Sequence, residues 1–213
     1  MPNPDVRTRL VLVTPPVYDA ATFAPRLADA LAGGDVASLI ITGDATSLQR
    51  NAEALVPIAA NRGVASLVLN DTRVASCTGA DGVHVETGLA DVQAALESFR
   101  KKKIVGAGNV SSRHDAMELA EAEPDYLFFG RIDGDMTDEI FPRSLDLASW
   151  WSEVAVIPAI VMGGRAVTSV DEAARAGIEF VALSAAVWEH GKSPAAAVAE
   201  VAARLASVVE PAA

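Results

Sequence analysis

The sequence predicts an α/β protein that folds as a single-domain (β/α)8 barrel, also called a TIM barrel, and three observations favour this fold. Short, continuous apolar runs of strand length recur eight times, and a helical pattern follows each of them. Continuous rather than alternating runs are typical of parallel strands buried on both faces. The 213 residues are 51% hydrophobic but only 5% aromatic, which suits helices packed on a parallel sheet. We expect one domain, 1–213, with a core from about residue 9 to residue 205.

The predicted strands and helices alternate along the whole chain. The strand runs are 10–13, 38–41, 67–69, 82–85, 104–106, 126–129, 159–162 and 180–183. Clear helix starts are a capping box at 46–49 and the pair Ser193-Pro194, where a cap residue precedes a proline. The helical pattern after the first strand ends at 33–34, and the one after the third strand lies around residue 74. The patterns after the fourth to seventh strands span 91–101, 113–122, 145–154 and 169–176. Eight such units favour a closed barrel over an open doubly wound sheet.

Charge and composition exclude several classes of function. With 28 acidic and 17 basic residues the net charge is −11, so no basic face is available for nucleic acid or an anionic membrane. The basic run 100–103 is expected to end a helix, where cations complement the helix dipole. Cys77 is the only cysteine, and no apolar stretch reaches the roughly 18 residues that span a bilayer. We expect a cytoplasmic protein without nucleic-acid or membrane partners; a homo-oligomer is compatible with the sequence.

Small residues follow the last two predicted strands, at the end of a barrel where active sites form. Gly163 and Gly164 follow the seventh strand, and Ser184 and Ala185 follow the eighth. Backbone N–H groups in such loops commonly bind phosphate. The alternative is that Gly163-Gly164 is only a tight turn.

Polar residues also end the third and fourth strands. Asn70 and Asp71 combine an amide with a carboxylate, which suits a hard cation and a hydrogen-bonded ligand, although Asp71 could equally be a helix N-cap. His84 lies inside the fourth strand and is either a core histidine or a general base.

The loop after the sixth strand is long and acidic. It leaves the core at Gly130 and carries four acids and two arginines, which are Asp133, Asp135, Asp138, Glu139, Arg131 and Arg143. A loop at this position covers the mouth of a barrel, so its charge bears directly on the ligand.

Several of these segments resemble, in order and spacing, thiamine phosphate synthase and its paralogue, the thiazole tautomerase. The resemblance extends from about residue 9 to residue 205. The matching segments are 67–75, 79–85, 124–130, 158–164 and 176–186. The resemblance implies a transferase of thiamine biosynthesis that joins aminopyrimidine methyl diphosphate to thiazole phosphate, with Mg²⁺ as cofactor and pyrophosphate as the second product. It also implies that the C–O bond ionises and that the thiazole nitrogen captures the pyrimidine cation.

The resemblance assigns roles by position. Asp71 would bind Mg²⁺, with Asp91 as a second ligand two residues beyond the expected position. The implied catalytic residues are Asn70, Thr137 and His84. The residues implied to bind the phosphorylated heterocyclic substrates are Gly130, Gly163, Gly164, Ser184 and Ala185. Asn109 and Arg131 are expected to bind them in place of family residues that this sequence lacks.

The sequence departs from the family pattern at the positions that hold a diphosphate. The family's Arg-Glu-Lys after the second strand is replaced by 41–44, Ile-Thr-Gly-Asp, and its Gly-x-Ser after the fifth by 106–108, Gly-Ala-Gly. In the sixth loop Thr137 is retained, but Asp138 stands where the family has lysine. Two alternatives therefore stay open: a tautomerase or isomerase of a phosphorylated heterocycle, and a non-catalytic phosphate-ligand binding paralogue. The loop acids would either bind additional Mg²⁺ or indicate that a diphosphate is no longer a substrate.

Overall fold

The computed structural model of the chain describes residues 7–100, 102–189 and 191–209. Its eight strands are all parallel and close into a barrel in sequence order, so the predicted (β/α)8 fold is confirmed. The strands are β1 Arg9–Val13, β2 Val36–Ile41, β3 Ala65–Leu69, β4 Gly82–Val85, β5 Ile104–Val110, β6 Tyr126–Phe129, β7 Ala159–Met162 and β8 Phe180–Leu183. β1 pairs with both β2 and β8, which closes the barrel.

Among the described residues, one α-helix follows each of the first seven strands, and two follow the eighth. They are α1 Ala20–Ala30, α2 Leu48–Ala60, α3 Thr72–Thr78, α4 Leu89–Phe99, α5 Arg113–Ala120, α6 Pro142–Val154, α7 Val170–Arg175, α8 Ala185–Trp188 and α9 Pro194–Val209. A 3-10 turn, Val167–Ser169, leads into α7. No helix in the described ranges is long and apolar enough to cross a membrane.

The predicted capping box at 46–49 is wrong. α2 begins at Leu48, and Ser47 makes no side-chain cap hydrogen bond. Instead, the Asp44 carboxylate accepts hydrogen bonds from the backbone N–H groups of Thr46, at 2.9 Å, and Ser47, at 2.8 Å. The hydrogen bonds from Thr46 and Ser47 lower the pKa of Asp44 to about 2. Thr46 and Ser47 therefore form a turn around Asp44 that precedes the helix, and neither side chain caps it.

Other helix boundaries moved by two or three residues. α6 begins three residues before the predicted start, because Pro142 at its first position is preorganised for a helix. α4 begins at Leu89 and ends at Phe99, with Arg100 as a left-handed C-cap. The basic run therefore begins where a helix ends, as predicted for it, although Lys101 lies outside the described residues.

The apolar core has two parts. One lies between the outer face of the sheet and the helices, and the other fills the inside of the barrel. The barrel interior consists of Val11, Val13, Ile40, Leu67, Tyr126, Phe128, Ile160, Met162 and Ala182. Because side chains fill the interior, a ligand has access only at the ends of the strands.

Candidate active site at the carboxyl end of the barrel

Two neighbouring cavities lie at the carboxyl ends of the strands. The first has a volume of about 480 Å³ and the second about 720 Å³. Asn109, Arg131 and Asp133 line both cavities. The first cavity is also lined by Thr14, Pro16, Thr42, Gly43, Leu69, Glu86 and Ile132. The mouth of the barrel therefore offers adjoining spaces of the size that small ligands occupy.

Two buried threonines form a polar wall of the first cavity. The hydroxyl oxygens of Thr14 and Thr42 are 2.9 Å apart, and the Thr42 N–H donates to Thr14 Oγ1 at 2.9 Å. The Thr42 hydroxyl also donates to the Pro15 carbonyl at 2.7 Å. These bonds fix both side chains at the ends of β1 and β2, and neither residue was identified from the sequence.

His84 lies inside the barrel and is completely buried. Its Nδ1 is 2.8 Å from the Tyr126 hydroxyl, and the two rings are stacked, with centroids 5.7 Å apart. Its Nε2 has no hydrogen-bond partner but lies 3.7 Å from Oε1 of Glu86. Burial raises the pKa of Tyr126 well above its ordinary value, so the phenol keeps its proton. In this geometry His84 faces protein groups, and Glu86 is the group that reaches the cavity.

Asn70 and Asp71 are held by local hydrogen bonds. Asn70, in a left-handed conformation with φ 55°, donates its N–H to the His84 carbonyl and accepts the Glu86 N–H at Oδ1, at 2.7 Å. Asp71 is the N-cap of α3, because its Oδ1 accepts the Val74 N–H at 2.7 Å. Its Oδ2 lies 4.0 Å from Arg73. The N-cap alternative for Asp71 is confirmed, and one carboxylate oxygen stays outside the cap.

The other predicted metal ligand, Asp91, is exposed in the first turn of α4. Within the described ranges no three His, Cys, Asp or Glu side chains cluster so that they could hold a metal ion. This finding also covers the acids of the sixth loop, where each of two carboxylates has its own partner. Arg131 pairs with Asp133 through two bonds of 3.0 and 3.1 Å, and the Ala185 N–H donates to Asp135 at 2.7 Å.

Asn109 and Gly130 both reach the cavities through unusual backbone conformations. The pairing of β5 with β6 shifts register between Ala107 and Val110, and Asn109, with φ 60°, projects from this irregularity. Gly130 has φ 98°, a conformation that favours glycine, and it lines the second cavity. Both predicted residues therefore lie where a ligand would meet them.

The predicted phosphate-binding amides have partners within the protein. The Gly163 N–H donates to the Ala182 carbonyl at 2.8 Å, and the Gly164 N–H donates to Ser169 Oγ at 3.0 Å. The Ala185 N–H donates to the Asp135 carboxylate, and the neighbouring Ser184 is buried. None of the four predicted residues lines either of the two cavities. Phosphate binding at these loops stays a prediction, and at Ala185 it requires Asp135 to move.

The sixth loop is fastened to the seventh. The Arg165 N–H donates to the Thr137 carbonyl at 2.7 Å, and the Ala166 N–H donates to the Asp138 carbonyl at 3.3 Å. Thr137 lines the second cavity, and its hydroxyl donates to the Glu139 carbonyl at 3.0 Å. Burial raises the pKa of Asp135, although the Ala185 N–H partly offsets this effect. The acidic loop is therefore a fixed wall of the site.

The cations at the mouth differ in how far neighbouring acids neutralise them. Arg131 pairs with Asp133, and Arg165 pairs with Glu189. Arg143 lines the second cavity and has no ion pair with any residue that the structure describes. Arg143 is therefore the cation most available to an anionic ligand.

Sequence reasoning missed the roles of Glu86 and Tyr126. Glu86 was visible two residues after His84, and residues i and i+2 of a strand face the same side, so their proximity could have been inferred. Tyr126 lies 42 residues beyond His84, and the two meet because β4 and β6 pair with β5 so that both residues are in register with Gly106. Trp151 on α6 is buried and donates to the Ile157 carbonyl, so it is a packing residue. His114 is exposed on α5, and His190 lies outside the described residues.

Comparisons with known proteins agree with this architecture. A family model described as thiamine monophosphate synthase matches residues 10–187. Thiamine-phosphate synthase from Rhodospirillum centenum is 36% identical over 198 residues, which cover 90% of this chain and 95% of that protein. Thiamine-phosphate synthase from Hyphomonas neptunium is 34% identical over 205 residues, which cover 92% of this chain and 93% of that protein.

A solved structure supports the same fold. Thiamine phosphate pyrophosphorylase from Pyrococcus furiosus superposes with a TM-score of 0.78, covering 98% of this chain and 100% of that chain, at 22% identity. This likeness extends over the whole barrel, and the matches in sequence add the family. The chain belongs to the thiamine monophosphate synthase family of transferases, enzymes of thiamine biosynthesis.

Proposed function

We propose that this protein couples aminopyrimidine methyl diphosphate to thiazole phosphate and releases pyrophosphate. Beyond family membership, the observation that carries this proposal is the pair of adjoining cavities at the carboxyl end of the barrel. A condensation needs two substrates side by side with their reacting atoms in contact. The first cavity would hold the pyrimidine, and the second would hold the thiazole.

The residues that line both cavities would surround the reacting atoms. Asn109 supplies a side-chain amide, and Arg131 supplies a guanidinium for the diphosphate. Arg143, on the wall of the second cavity, would provide a cation that has no ion pair with an acid among the described residues. Together the two arginines would take over the charge stabilisation of the missing lysine and Arg-Glu-Lys segment.

Mg²⁺ would enter this site together with the diphosphate. Asp71 keeps one oxygen outside its cap and Asp91 is exposed, so these two positions would supply one or two carboxylates. This donor set fits Mg²⁺, which is commonly bound by one or two carboxylates together with substrate phosphates. When bound, the ion would neutralise charge on the departing pyrophosphate.

The proposal extends to the domain organisation and the cellular location of the protein. The chain would act as one domain, since the strand at residue 9 pairs with the strand at residue 180. A cytoplasmic location would suit the single cysteine, Cys77, which is free and exposed. That the protein forms a homo-oligomer stays a prediction.

Growth complementation tests the proposed function. A bacterial strain that lacks its own thiamine-phosphate synthase should grow without thiamine when it expresses this protein, and should not grow with the empty vector. The Arg143→Ala variant should support slower growth at equal protein level. If the strain expressing soluble wild-type protein grows only when thiamine is supplied, the proposal is wrong.

A further inference from the structure

We propose that Glu86 binds the amino edge of the pyrimidine in the first cavity and stabilises the positive charge that develops when the diphosphate leaves. The inference rests on the proposed function for the identity of the ring. It assigns a role to a residue that neither the motifs nor the predicted site included.

Glu86 presents a carboxylate to the first cavity from a fixed backbone. Its side chain is 20% exposed, it lines the cavity, and its N–H donates to Asn70 Oδ1 at 2.7 Å. Glu86 makes no ion pair with a lysine or arginine that the structure describes, although, together with a hydrogen bond to Asp133, its charge helps to raise the pKa of Arg131. An exocyclic amino group next to a ring nitrogen presents N–H donors, and a carboxylate is an acceptor for them. Glu86 is therefore a matching acceptor for an aminopyrimidine.

A buried row of side chains orients this carboxylate. If the Tyr126 hydroxyl donates to His84 Nδ1, the ring proton of His84 lies on Nε2, which points at Glu86. The opposite tautomer would place a lone pair of Nε2 against the carboxylate, which is repulsive. The favourable arrangement is therefore Tyr126 to His84 to Glu86, with each donor facing an acceptor. A closure of the 3.7 Å separation by less than an ångström would turn the last contact into a hydrogen bond.

Two glycines of β5 make room for this row. A Cβ at Gly106 would overlap the ring of Tyr126. A Cβ at Gly108 would lie 2.7 Å from His84 Nε2 and 2.9 Å from Glu86 Cγ. The Gly-Ala-Gly segment, which replaces the Gly-x-Ser of the resembled family, is thus the space in which Glu86 meets His84.

The chemistry requires no proton transfer at Glu86. The C–O bond between the methylene carbon and the diphosphate breaks, and its electron pair leaves with the pyrophosphate oxygen. The methylene carbon becomes positive, and the amino nitrogen shares this charge through the ring. The N–H bond directed at Glu86 then becomes a stronger donor, so the carboxylate stabilises the transition state more than the bound substrate.

The Glu86→Gln variant tests this role, because glutamine keeps the shape and removes the charge. We expect kcat for thiamine phosphate formation to fall about 10²-fold and the KM for the diphosphate substrate to rise about tenfold, because the carboxylate binds the ring in the bound substrate and more strongly in the transition state. Glu118→Gln, on the exposed face of α5, is the matched control and should retain wild-type kcat. An unchanged kcat in Glu86→Gln would overturn the inference.

His84 is a positioning residue in this scheme, so its effect should depend on Glu86. His84→Gln can still donate from its amide to Glu86, whereas His84→Leu cannot. We expect His84→Leu to lower kcat, His84→Gln to restore part of it, and the double variant of His84→Leu with Glu86→Gln to be no slower than Glu86→Gln alone. Additive losses in the double variant would mean that His84 does not act through Glu86.

A binding experiment separates this inference from the proposed function. The probe is aminopyrimidine methyl alcohol, which carries no diphosphate, titrated calorimetrically into wild-type and Glu86→Gln protein. We expect the Kd to rise at least about tenfold in the variant, as for the loss of a charged hydrogen bond. This result from a protein without synthase activity would refute the proposed function and the charge stabilisation, and would keep the binding of the pyrimidine by Glu86. Equal Kd values, or no binding to the wild type, would overturn the inference even in an active synthase.

Discussion

The Asp135 carboxylate accepts the backbone N–H of Ala185, which the family resemblance predicts to bind a phosphate oxygen. The carboxylate is half-buried and accepts the Ala185 N–H at 2.7 Å, while the loop that carries it is bonded to the loop after β7. A phosphate group at this amide would meet a like charge. The phosphorylated substrate therefore has to displace Asp135 or bind without the Ala185 amide.

Replacing Asp135 by alanine should improve the binding of thiazole phosphate. The change frees the Ala185 N–H and removes an acid, so the Kd should fall about tenfold at pH 8. Burial raises the pKa of Asp135, and a carboxyl group loses its charge below its pKa, so the advantage should shrink as the pH falls towards 5. Calorimetric titrations at both pH values measure this. Asp146→Ala, exposed on α6, is the control, and equal affinity of wild type and Asp135→Ala at pH 8 would show that Asp135 does not obstruct the phosphate.

The availability of Arg143 leads to a second prediction at the scale of one residue. Arg143→Ala should raise the KM for an anionic substrate about tenfold, since it removes the cation of the second cavity that has no acidic partner among the described residues. Arg62→Ala is a suitable control, because Arg62 is exposed just beyond the carboxyl end of α2, away from the strand ends. Steady-state kinetics with each substrate varied in turn would measure both. A KM in Arg143→Ala equal to that of Arg62→Ala for both substrates would exclude the role.

Among the elements, β5 contains two glycines, Gly106 and Gly108, that neighbouring side chains enclose tightly. Gly106→Ala should destabilise the protein by about 2–3 kcal/mol, because the added Cβ would overlap the buried Tyr126 ring. Urea unfolding at neutral pH measures the loss. Gly191→Ala meets no atom within 4 Å and should change the free energy of unfolding by less than about 0.5 kcal/mol. Equal stability of the two variants would mean that the packing around Tyr126 is looser than described.

The sequence predicted elements better than their ends. All eight strands were identified, because continuous apolar runs report burial on both faces directly. The start of α2 was misplaced because the Thr46 hydroxyl donates to the Asp44 carboxylate instead of accepting from the first turn of the helix. Asn109 was placed correctly at the mouth, whereas the Tyr126–His84–Glu86 row was missed because it joins two strands distant in sequence.

At the scale of the whole molecule, the barrel fixes where the site is, and side chains decide what it binds. The mouth was predictable from strand order alone. The internal partners of the Gly163, Gly164 and Ala185 amides were not, because they depend on how the loops after β6, β7 and β8 pack together. The loop acids Asp133 and Asp135 each have a partner of their own, so additional Mg²⁺ at this loop has no support among the described residues.

The net charge of −11 predicts how the reaction depends on salt. A diphosphate substrate approaches a protein of the same sign, and salt screens this repulsion. At constant Mg²⁺ and pH, kcat/KM for the diphosphate substrate should rise about two- to threefold between about 20 and 150 mM salt. A steep fall over the same range would instead indicate attraction by a local positive field that outweighs the net charge.

The formation of thiamine phosphate by the purified protein is the decisive test of the proposed synthase activity. The purified protein is incubated with Mg²⁺, aminopyrimidine methyl diphosphate and thiazole phosphate, and the phosphorus NMR signals are followed with time. We expect thiamine phosphate and pyrophosphate to appear in equal amounts and only when both substrates are present. EDTA should stop their formation. Unchanged substrates, or pyrophosphate released without thiamine phosphate, would contradict it.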